Sequence, residues 1–230
     1  MKTIDSVERF LEVQVQEWNR HGEKQKSPRP GPVITLSREV GCDGDSIAKI
    51  LAKKFDLVLY DWKLVEEIAK DSHVSEQAVA TLDENIAFEL ADWLTSFSAG
   101  PPSFSANQYM QSLRRVLFTV ATHGDAIIVG RGANFLLPPE KRTVGLRLVA
   151  PLSARVKNIM QELGLSEESA LMQIKQTENE QQQWVKKHTG ADINNAGFYH
   201  LVINTALVTP ETIVQIVKEI LHARGDHDDT

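Results

Sequence analysis

The sequence predicts an α/β fold in which a parallel β-sheet is covered by helices on both faces. The main observation is that short apolar runs alternate with longer segments whose apolar residues recur at helical spacing. A second is the run 126–129, which is apolar without interruption, as is typical of a strand buried on both faces. The third is the glycine-containing loop 37–46, which lies between a predicted strand and a predicted helix, the order found in phosphate-binding turns.

Composition narrows the class of protein. A chain of 230 residues, 42% of them hydrophobic, is long enough for one globular domain with a sizeable core. The net charge of −6 argues against a dedicated nucleic-acid-binding protein, which usually carries a basic face. Cys42 is the only cysteine, which excludes an intramolecular disulfide and a Cys-based zinc site. No apolar run has the length of a membrane span, and residues 1–20 lack the core of a secretory signal, so we expect a cytoplasmic protein without membrane partners.

Residues 1–32 are predicted to lie outside the main domain. Residues 5–20 have a roughly amphipathic helical pattern, and a polar stretch with three prolines follows as a stiff linker to the domain that starts at Val33. The helix either packs on the core of its own chain or forms a surface for a partner or for a homo-oligomer. We favour the first alternative. At the other end, residues 225–230 form a predicted polar tail after a domain spanning 33–224.

The first half of the domain is predicted to contain two strands and three helices. The apolar runs 33–36 and 57–60 have strand length, and apolar residues at helical spacing between them predict the first helix. Asp61 is placed to cap a helix to Lys70, and Ser75 to cap the next helix, which extends to Trp93. The stretch 95–107 is rich in Ser, Pro, Gly and Ala and is predicted to be a mobile loop.

The second half repeats the alternation of strands and helices. Helical spacing predicts a helix over 109–123, and apolar runs predict strands over 126–129, 144–149 and 201–203. The expected caps of the remaining helices are Ser153 for a helix to Leu163, Ser166 for a helix to Lys187, and Thr209, with Pro210 in the first turn, for the last helix.

Several polar segments follow predicted strands directly. They are the loop 37–46, Asp61, Gly130 with Arg131, and Asn204. Ligands of parallel sheets bind beyond the carboxyl ends of the strands, so these segments are expected to gather at one edge. This convergence is the strongest indication of a functional site that the residues themselves give.

The loop is the candidate phosphate site. Its members are Ser37, Arg38, Gly41, Cys42, Asp43, Gly44, Asp45 and Ser46. It is not a standard P-loop, because Asp45 stands where that motif has lysine. The loop is either a modified nucleotide-binding loop or an ordinary strand-to-helix turn, and the residues alone leave both open. Ser46 either binds a phosphate or a magnesium-bound water, or is simply a polar residue of the first turn. The helix start near Cys42 would lower its pKa, but no histidine is fixed beside it, so a nucleophilic role is not expected.

Two arginines are candidate phosphate ligands. Arg131 follows a buried strand between two glycines, where a guanidinium can hold a phosphate with two hydrogen bonds; the alternative is a structural salt bridge. Arg38 either supplies the cation that the loop lacks or forms an ordinary ion pair with Glu39 or Asp61. Asp61 either contacts a sugar or base or caps its helix, and we favour capping.

Charged side chains further along the chain are weaker candidates. Lys186 and Lys187 end the polar tract 178–188 and either close over phosphates or form a solvated helix end, where cations are favourable. Arg155 is expected to make an ion pair on a helix face.

A family resemblance rests on short segments in a fixed order. They are Ile34–Gly41 with Gly44 and Ile47–Ala48, Tyr60–Asp61, Ile128–Ala133, Ala150–Leu152 with Arg155–Val156, Thr189–Gly190 and Val202–Thr205. Over about 33–221 the chain resembles the cytidylate kinase-like family, a branch of the P-loop nucleoside monophosphate kinases. The resemblance implies a three-layer α/β/α P-loop kinase fold with a central parallel sheet, a helical arm for the nucleoside monophosphate at about 61–123, and a lid at about 175–192.

The resemblance also implies a reaction, the transfer of the γ-phosphoryl group of ATP to CMP or dCMP with Mg²⁺. By position, the loop 37–46 would hold the ATP phosphates. Arg131 would hold the acceptor phosphate and act in catalysis with Arg38. Asp61 would border the acceptor pocket, and Lys186 and Lys187 would belong to the lid.

Two features of the chain depart from the family pattern. Asp43 and Asp45 occupy loop positions where relatives tend to have glycine and a basic residue, and the lid tract reads Glu-Asn-Glu-Gln-Gln-Gln where cytidylate kinases are rich in arginine. Phosphoryl transfer depends on cations that neutralise spreading charge. The degenerate loop and lid therefore predict weak catalysis, a different substrate, or a relative that serves as a nucleotide-binding regulatory module or an interaction scaffold.

Overall fold

The computed structural model describes residues 13–16, 18, 31–70, 72–82, 84–96, 104–141 and 144–226. The chain divides into two compact units. One unit comprises Tyr60–Gly124 and the described residues before Pro32, and the other comprises Pro32–Leu59 with the chain from Asp125 onward.

A five-stranded parallel sheet forms the centre of the second unit. Its strands are β1 (Val33–Arg38), β2 (Val58–Tyr60), β3 (Ala126–Val129), β4 (Val144–Val149) and β5 (Leu201–Asn204). Their order is β2-β3-β1-β4-β5, with β1 at the centre, pairing in parallel with β3 and β4. The predicted parallel sheet is confirmed, and the carboxyl ends of β3, β1 and β4 lie side by side.

The helices in the described part of the chain are α1 (Gly44–Phe55), α2 (Trp62–Lys70), α3 (Ser72–Val79), α4 (Glu84–Thr95), α5 (Phe104–His123), α6 (Ala133–Leu136), α7 (Leu152–Leu163), α8 (Glu167–Thr189) and α9 (Pro210–Asp226). Short 3₁₀ turns span Pro139–Lys141 and Ala196–Phe198. None of these helices is both long and apolar enough to cross a membrane.

The alternation of side chains along β1 places helices on both faces of the sheet. Ile34 and Leu36 join α1 and α9 in one apolar core. On the opposite face, Thr35 Oγ1 donates to Asn134 Oδ1 of α6 over 2.9 Å. Successive side chains of a strand point to opposite faces, so this pattern produces the three-layer α/β/α architecture of P-loop kinases.

Of the five predicted helix caps, those of Asp61, Ser166 and Thr209 are confirmed. Ser166 accepts from Ser169 N at 3.2 Å and Thr209 Oγ1 accepts from Thr212 N at 3.3 Å. The Ser153 cap is wrong because Pro151 is the cap residue of α7, a position where the missing proline N–H is not needed. The Ser75 cap is also wrong, since Ser75 is buried inside α3, and the predicted single helix to Trp93 is two helices.

Other boundaries differ from the sequence prediction. Helix α5 begins at Phe104, so the end of the predicted loop 95–107 is helical, while 97–103 lies outside the described residues. Helix α9 continues to Asp226, so the predicted tail begins too early. Of the predicted N-terminal helix 5–20, residues 13–16 and 18 are described and helical, and residues 21–30 of the predicted linker 21–32 lie outside the described residues.

The unit that contains Tyr60–Gly124 includes the described residues of the N-terminal segment. Tyr60 Oη donates to Gln14 Oε1 over 3.3 Å, and the Trp18 ring stacks on the His123 ring with 4.4 Å between centroids. The described part of this segment therefore packs on its own chain, the alternative that the sequence analysis favoured.

Candidate functional site

The loop between β1 and α1 has a backbone that only particular residues can adopt. Gly41 has φ 82°, and a Cβ built on it would lie 2.6 Å from the Arg155 carbonyl oxygen. Asp43, which precedes α1, has φ 59° in the left-handed region, a conformation that aspartate tolerates better than most residues. Gly41 is therefore fixed both by its dihedral angle and by the backbone packed against it.

Three side chains, two from α7 and one that follows β5, hold the loop carbonyl groups. Asn158 Nδ2 donates to Gly41 O at 2.8 Å, Thr205 Oγ1 to Cys42 O at 3.0 Å, and Arg155 Nη1 to Val40 O at 3.3 Å. The carbonyl groups are thus turned toward the protein. The first helical hydrogen bond of α1 is from Ile47 N to Asp43 O. The amides of the first turn, which come before Ile47, therefore donate no helical hydrogen bond and form the positive end of the helix.

Arg38 and Asp45 form an ion pair across this loop. Arg38 Nε lies 2.9 Å from Asp45 Oδ1, with the two side chains 16% and 66% exposed. Of the two alternatives for Arg38, the structure shows an ion pair, but the partner is Asp45 rather than Glu39 or Asp61, because the loop brings Asp45 to the guanidinium.

Arg131 sits in a strained turn directly after β3. Gly130, Arg131 and Gly132 have φ values of 77°, 48° and 66°, three successive residues in the left-handed region. A Cβ on Gly132 would lie 2.7 Å from the Trp184 ring, so glycine is required there for space as well. Burial, and after it the positive charge of Arg38, lowers the pKa of Arg131. The two guanidinium groups are therefore close enough to repel each other, and an anion between them would relieve that repulsion.

A small, open polar cleft lies beside the loop. It is lined by Arg38, Glu39, Arg147, Glu178, Gln181, Gln182, Ile193 and Asn194. Arg147 projects from β4 and donates to Ser37 Oγ at 2.9 Å and to Asn194 Oδ1 at 2.8 Å. The Ser37 side chain is thus already engaged by a neighbouring strand, and Arg147 is an additional guanidinium at the site.

Arg155 is the centre of a buried ion-pair network that fixes the loop to α8. Its guanidinium lies 3.2 Å from Glu39 Oε2 and 2.5 Å from Glu178 Oε1. The two carboxylates in turn accept from backbone amides, Glu39 from Ala150 N and Glu178 from Val40 N. The expected ion pair of Arg155 is confirmed, and it joins three segments around the phosphate loop.

Cys42 contributes only its backbone to the site. Its side chain is 1% exposed and belongs to the apolar core under the sheet. Burial raises the pKa of the thiol to about 11, so the expectation that the helix start lowers this pKa is wrong. Desolvation of the thiolate outweighs the favourable backbone hydrogen bond from Gly44.

Cys42 is expected to resist thiol reagents in the native protein at pH 8. A buried thiol with a pKa about three units above that pH is almost entirely protonated and out of reach of the reagent. Labelling with a chromogenic disulfide should be negligible in buffer and stoichiometric in denaturant, with the denatured chain as the control. Rapid labelling of the folded protein would contradict the burial of Cys42.

The remaining sequence candidates make helix-end contacts or are exposed. Asp61 belongs to the unit containing Tyr60–Gly124, and its Oδ1 accepts from Lys63 N and Leu64 N at 2.9 Å, so it caps α2 as favoured. Lys186 Nζ donates to Gly190 O at 3.1 Å, and Lys187 is exposed in the last turn of α8.

The oxygen atoms at the loop mouth fit a hydrated magnesium ion. Ser46 is exposed in the first turn of α1, with the exposed carboxylates of Asp43 and Asp45 next to it in the chain. Within the described residues no three His, Cys, Asp or Glu side chains are arranged to hold a metal ion. Magnesium usually keeps several waters and is bound by one or two protein oxygens together with substrate phosphates. The residues therefore fit an ion that arrives with a nucleotide, rather than a dedicated metal site.

Sequence reasoning did not single out Arg147, Asn158, Glu178 and Thr205 as parts of the site. Arg147 carried the clearest signal, since it interrupts an otherwise apolar run that predicts a buried strand. The other three are ordinary polar residues of helices and a turn, and only the tertiary contacts bring them to the loop.

Comparisons with known proteins agree with this architecture. The profile of the cytidylate kinase-like family matches residues 33–207. The cytidylate kinase of Pyrococcus horikoshii is 25% identical over 192 residues, which cover 83% of this chain and 88% of that protein. The cytidylate kinase of Ignicoccus hospitalis is 33% identical over 109 residues, which cover 46% of this chain and 62% of that protein.

A solved structure supports the fold independently. An uncharacterized protein from Eubacterium ventriosum superposes with a TM-score of 0.58 at 17% sequence identity, covering 83% of this chain and 98% of that one. The family profile spans most of the chain and includes the loop, both site arginines and the last strand. The chain belongs to the cytidylate kinase-like family.

Proposed function

We propose that the protein is a nucleoside monophosphate kinase that transfers the γ-phosphoryl group of ATP to CMP or dCMP. One observation carries the proposal. The carboxyl ends of the neighbouring strands β1 and β3 bring Arg38 and Arg131 together beside the start of α1. Family membership and the relatives described as cytidylate kinases support the choice of acceptor.

The loop supplies the donor side of the site. Its carbonyl groups are held by Asn158, Thr205 and Arg155, so its amides and the positive end of α1 are available to the ATP phosphates. Mg²⁺ bound to ATP would neutralise phosphate charge, with Ser46 as its protein-side oxygen, directly or through water. Because the loop is anchored by several contacts, little ordering is needed on binding.

The arginines act on the transferring group. An oxygen of the acceptor phosphate attacks the γ-phosphorus, the bond from that phosphorus to the β–γ bridging oxygen breaks, and ADP leaves with the electron pair. Arg131 holds the acceptor phosphate in line, and Arg38 stabilises negative charge on the transferring group. Positioned cations of this kind supply most of the catalysis in phosphoryl transfer.

A second candidate function is nucleotide binding without turnover, as in a regulatory module. The observation that favours it is the Arg38–Asp45 ion pair, in which a carboxylate holds the cation that would face the phosphates. The cation that phosphoryl transfer needs at the position of the P-loop lysine is thereby engaged by a carboxylate, while the amides at the start of α1 stay available to nucleotide phosphates.

A coupled ADP-release assay with ATP, Mg²⁺ and each of the four common nucleoside monophosphates separates the two functions. The kinase is expected to turn over CMP or dCMP faster than AMP, GMP or UMP. Calorimetric binding of MgATP without turnover of any acceptor would establish the regulatory module instead. Absence of both turnover and binding heat would leave only an interaction scaffold.

The substitution Asp45→Asn is expected to strengthen binding of MgATP by up to about tenfold, because it removes a carboxylate that competes with phosphate for Arg38. Calorimetry measures the change. Asp56→Asn is the matched control, since Asp56 caps the opposite end of α1 in a conformation that asparagine also adopts. Weaker binding by the Asp45 variant would show that Asp45 orients Arg38 rather than competing for it.

A further inference from the structure

We propose that Arg147 of β4 is a third phosphate-binding guanidinium of this site. It supplies positive charge to the cleft, to which α8 contributes no cation. The inference rests on the proposed nucleotide-binding function and assigns the cleft beside the loop to a phosphate group. Arg147 is 5% exposed and lines the cleft together with Arg38.

Arg147 makes no direct ion pair with a carboxylate of the described residues. Its hydrogen bonds go to a hydroxyl and an amide, those of Ser37 and Asn194, and its guanidinium lies 5.8 Å from the Tyr199 ring centroid. No carboxylate oxygen of the described residues lies within 4.0 Å of it. A buried cation that lacks a counter-ion is costly, and a phosphate in the cleft would offset that cost.

The other charged groups of the cleft wall are already paired. Glu39 and Glu178 both contact Arg155, and Arg38 contacts Asp45. The remaining side chains that α8 contributes to the cleft, Gln181 and Gln182, are neutral. Of the two guanidinium groups that line the cleft, that of Arg147 is the one without a carboxylate contact.

The sheet register places Arg147 in line with the two arginines already described. Ser37 pairs with Arg147, and Arg38 with the next residue of β4. Arg131 follows β3 on the other side of β1. Three adjacent strands thus each deliver a guanidinium to the same sheet edge. Arg147 lies within β4, whereas Arg38 is the last residue of β1 and Arg131 follows β3.

The ligand is a phosphate dianion, which can come from two sources, the γ-phosphate of ATP or the phosphate of the acceptor. The test uses the full chain and the variants Arg147→Met and Arg147→Lys. Calorimetry with MgATP, with inorganic tripolyphosphate and with CMP reports on the sources separately. Arg224→Met, which removes an exposed arginine of α9 that contacts His200, is the matched control.

Arg147→Met is expected to weaken at least one of these ligands by about tenfold or more, the loss typical of a charged hydrogen bond. Weakening of MgATP and tripolyphosphate would assign Arg147 to the donor, and weakening of CMP alone would assign it to the acceptor. The melting temperature without ligand should stay unchanged or rise, since a buried uncompensated charge is removed. Arg147→Lys keeps the positive charge but loses the planar set of guanidinium donors, so this variant should bind the ligands more weakly than wild type.

Wild-type affinity of folded Arg147→Met for all three ligands would overturn the proposal. If that variant does not fold, Arg147→Lys decides: a lowered melting temperature with unchanged affinities would reduce Arg147 to a structural tie between Ser37 and Asn194. Failure of the proposed kinase function is a different result, in which wild type shows no turnover while Arg147→Met still loses affinity for MgATP.

Discussion

Replacing Arg131 with glycine is expected to lower kcat/KM for CMP by about 10³-fold or more, the range for loss of a guanidinium that stabilises phosphoryl transfer. Glycine is the informative substitution because Arg131 has φ 48°. Glycine adopts this conformation without the strain of about 1 kcal/mol that a side chain imposes. Relief of that strain offsets the loss of side-chain packing, so a large decrease in activity should come without a large decrease in melting temperature.

Asp125→Gly is the matched control for Arg131→Gly. Asp125 has the same φ of 48° and precedes β3, whereas Arg131 follows it, so the substitution changes the same kind of backbone at the opposite edge of the sheet. Its turnover should match that of wild type. Equal activity of the Arg131 variant and wild type would remove Arg131 from the site and with it the main support for the kinase proposal.

Replacing Arg155 with methionine is expected to destabilise the protein by about 3–5 kcal/mol, the usual cost of removing one partner from a buried ion-pair network. The variant leaves the carboxylates of Glu39 and Glu178 without their shared cation. It also removes the donor to the carbonyls of Ala150 and Val40. Chemical denaturation measures the free energy of unfolding.

Two further variants test this account of Arg155. Lys157→Met on the same helix α7 removes an exposed cation and should change stability by less than about 0.5 kcal/mol. Adding Glu178→Gln to Arg155→Met should recover part of the loss, because one of two unpaired carboxylates is removed. A loss below about 1 kcal/mol in Arg155→Met would show that solvent already compensates the network.

The sheet was predictable because each strand is marked by a local run of apolar residues. The run 126–129 is apolar throughout and the run 144–149 is apolar except for Arg147, and both are strands with the predicted bounds. Helix ends were less predictable. Ser153 has a good capping side chain, yet α7 begins at Leu152 because Pro151 precedes it. Propensity is a weak preference that neighbouring residues and packing override.

The sequence predicted the site residues that directly follow strands. It did not predict the contacts that depend on the path of the loop or on distant segments. Arg38 and Arg131 stand at strand ends, and the parallel topology alone places them at one edge. The partner of Arg38 was missed because Asp45 is reached only through the path of the loop. Glu178 is 138 residues from the Val40 amide that it accepts from, and no local pattern reports such a contact.

By itself, the amino-acid sequence determined the parallel α/β architecture, the glycines that the loop requires and the family, because these depend on periodicity, on backbone dihedral limits and on short ordered motifs. Only the tertiary structure decided which charges are compensated. It paired Arg38 with Asp45 and Arg155 with two glutamates, and left Arg147 among neutral partners in a cleft. Electrostatic energy depends on distance and burial, and distant segments acquire both only when the chain has folded.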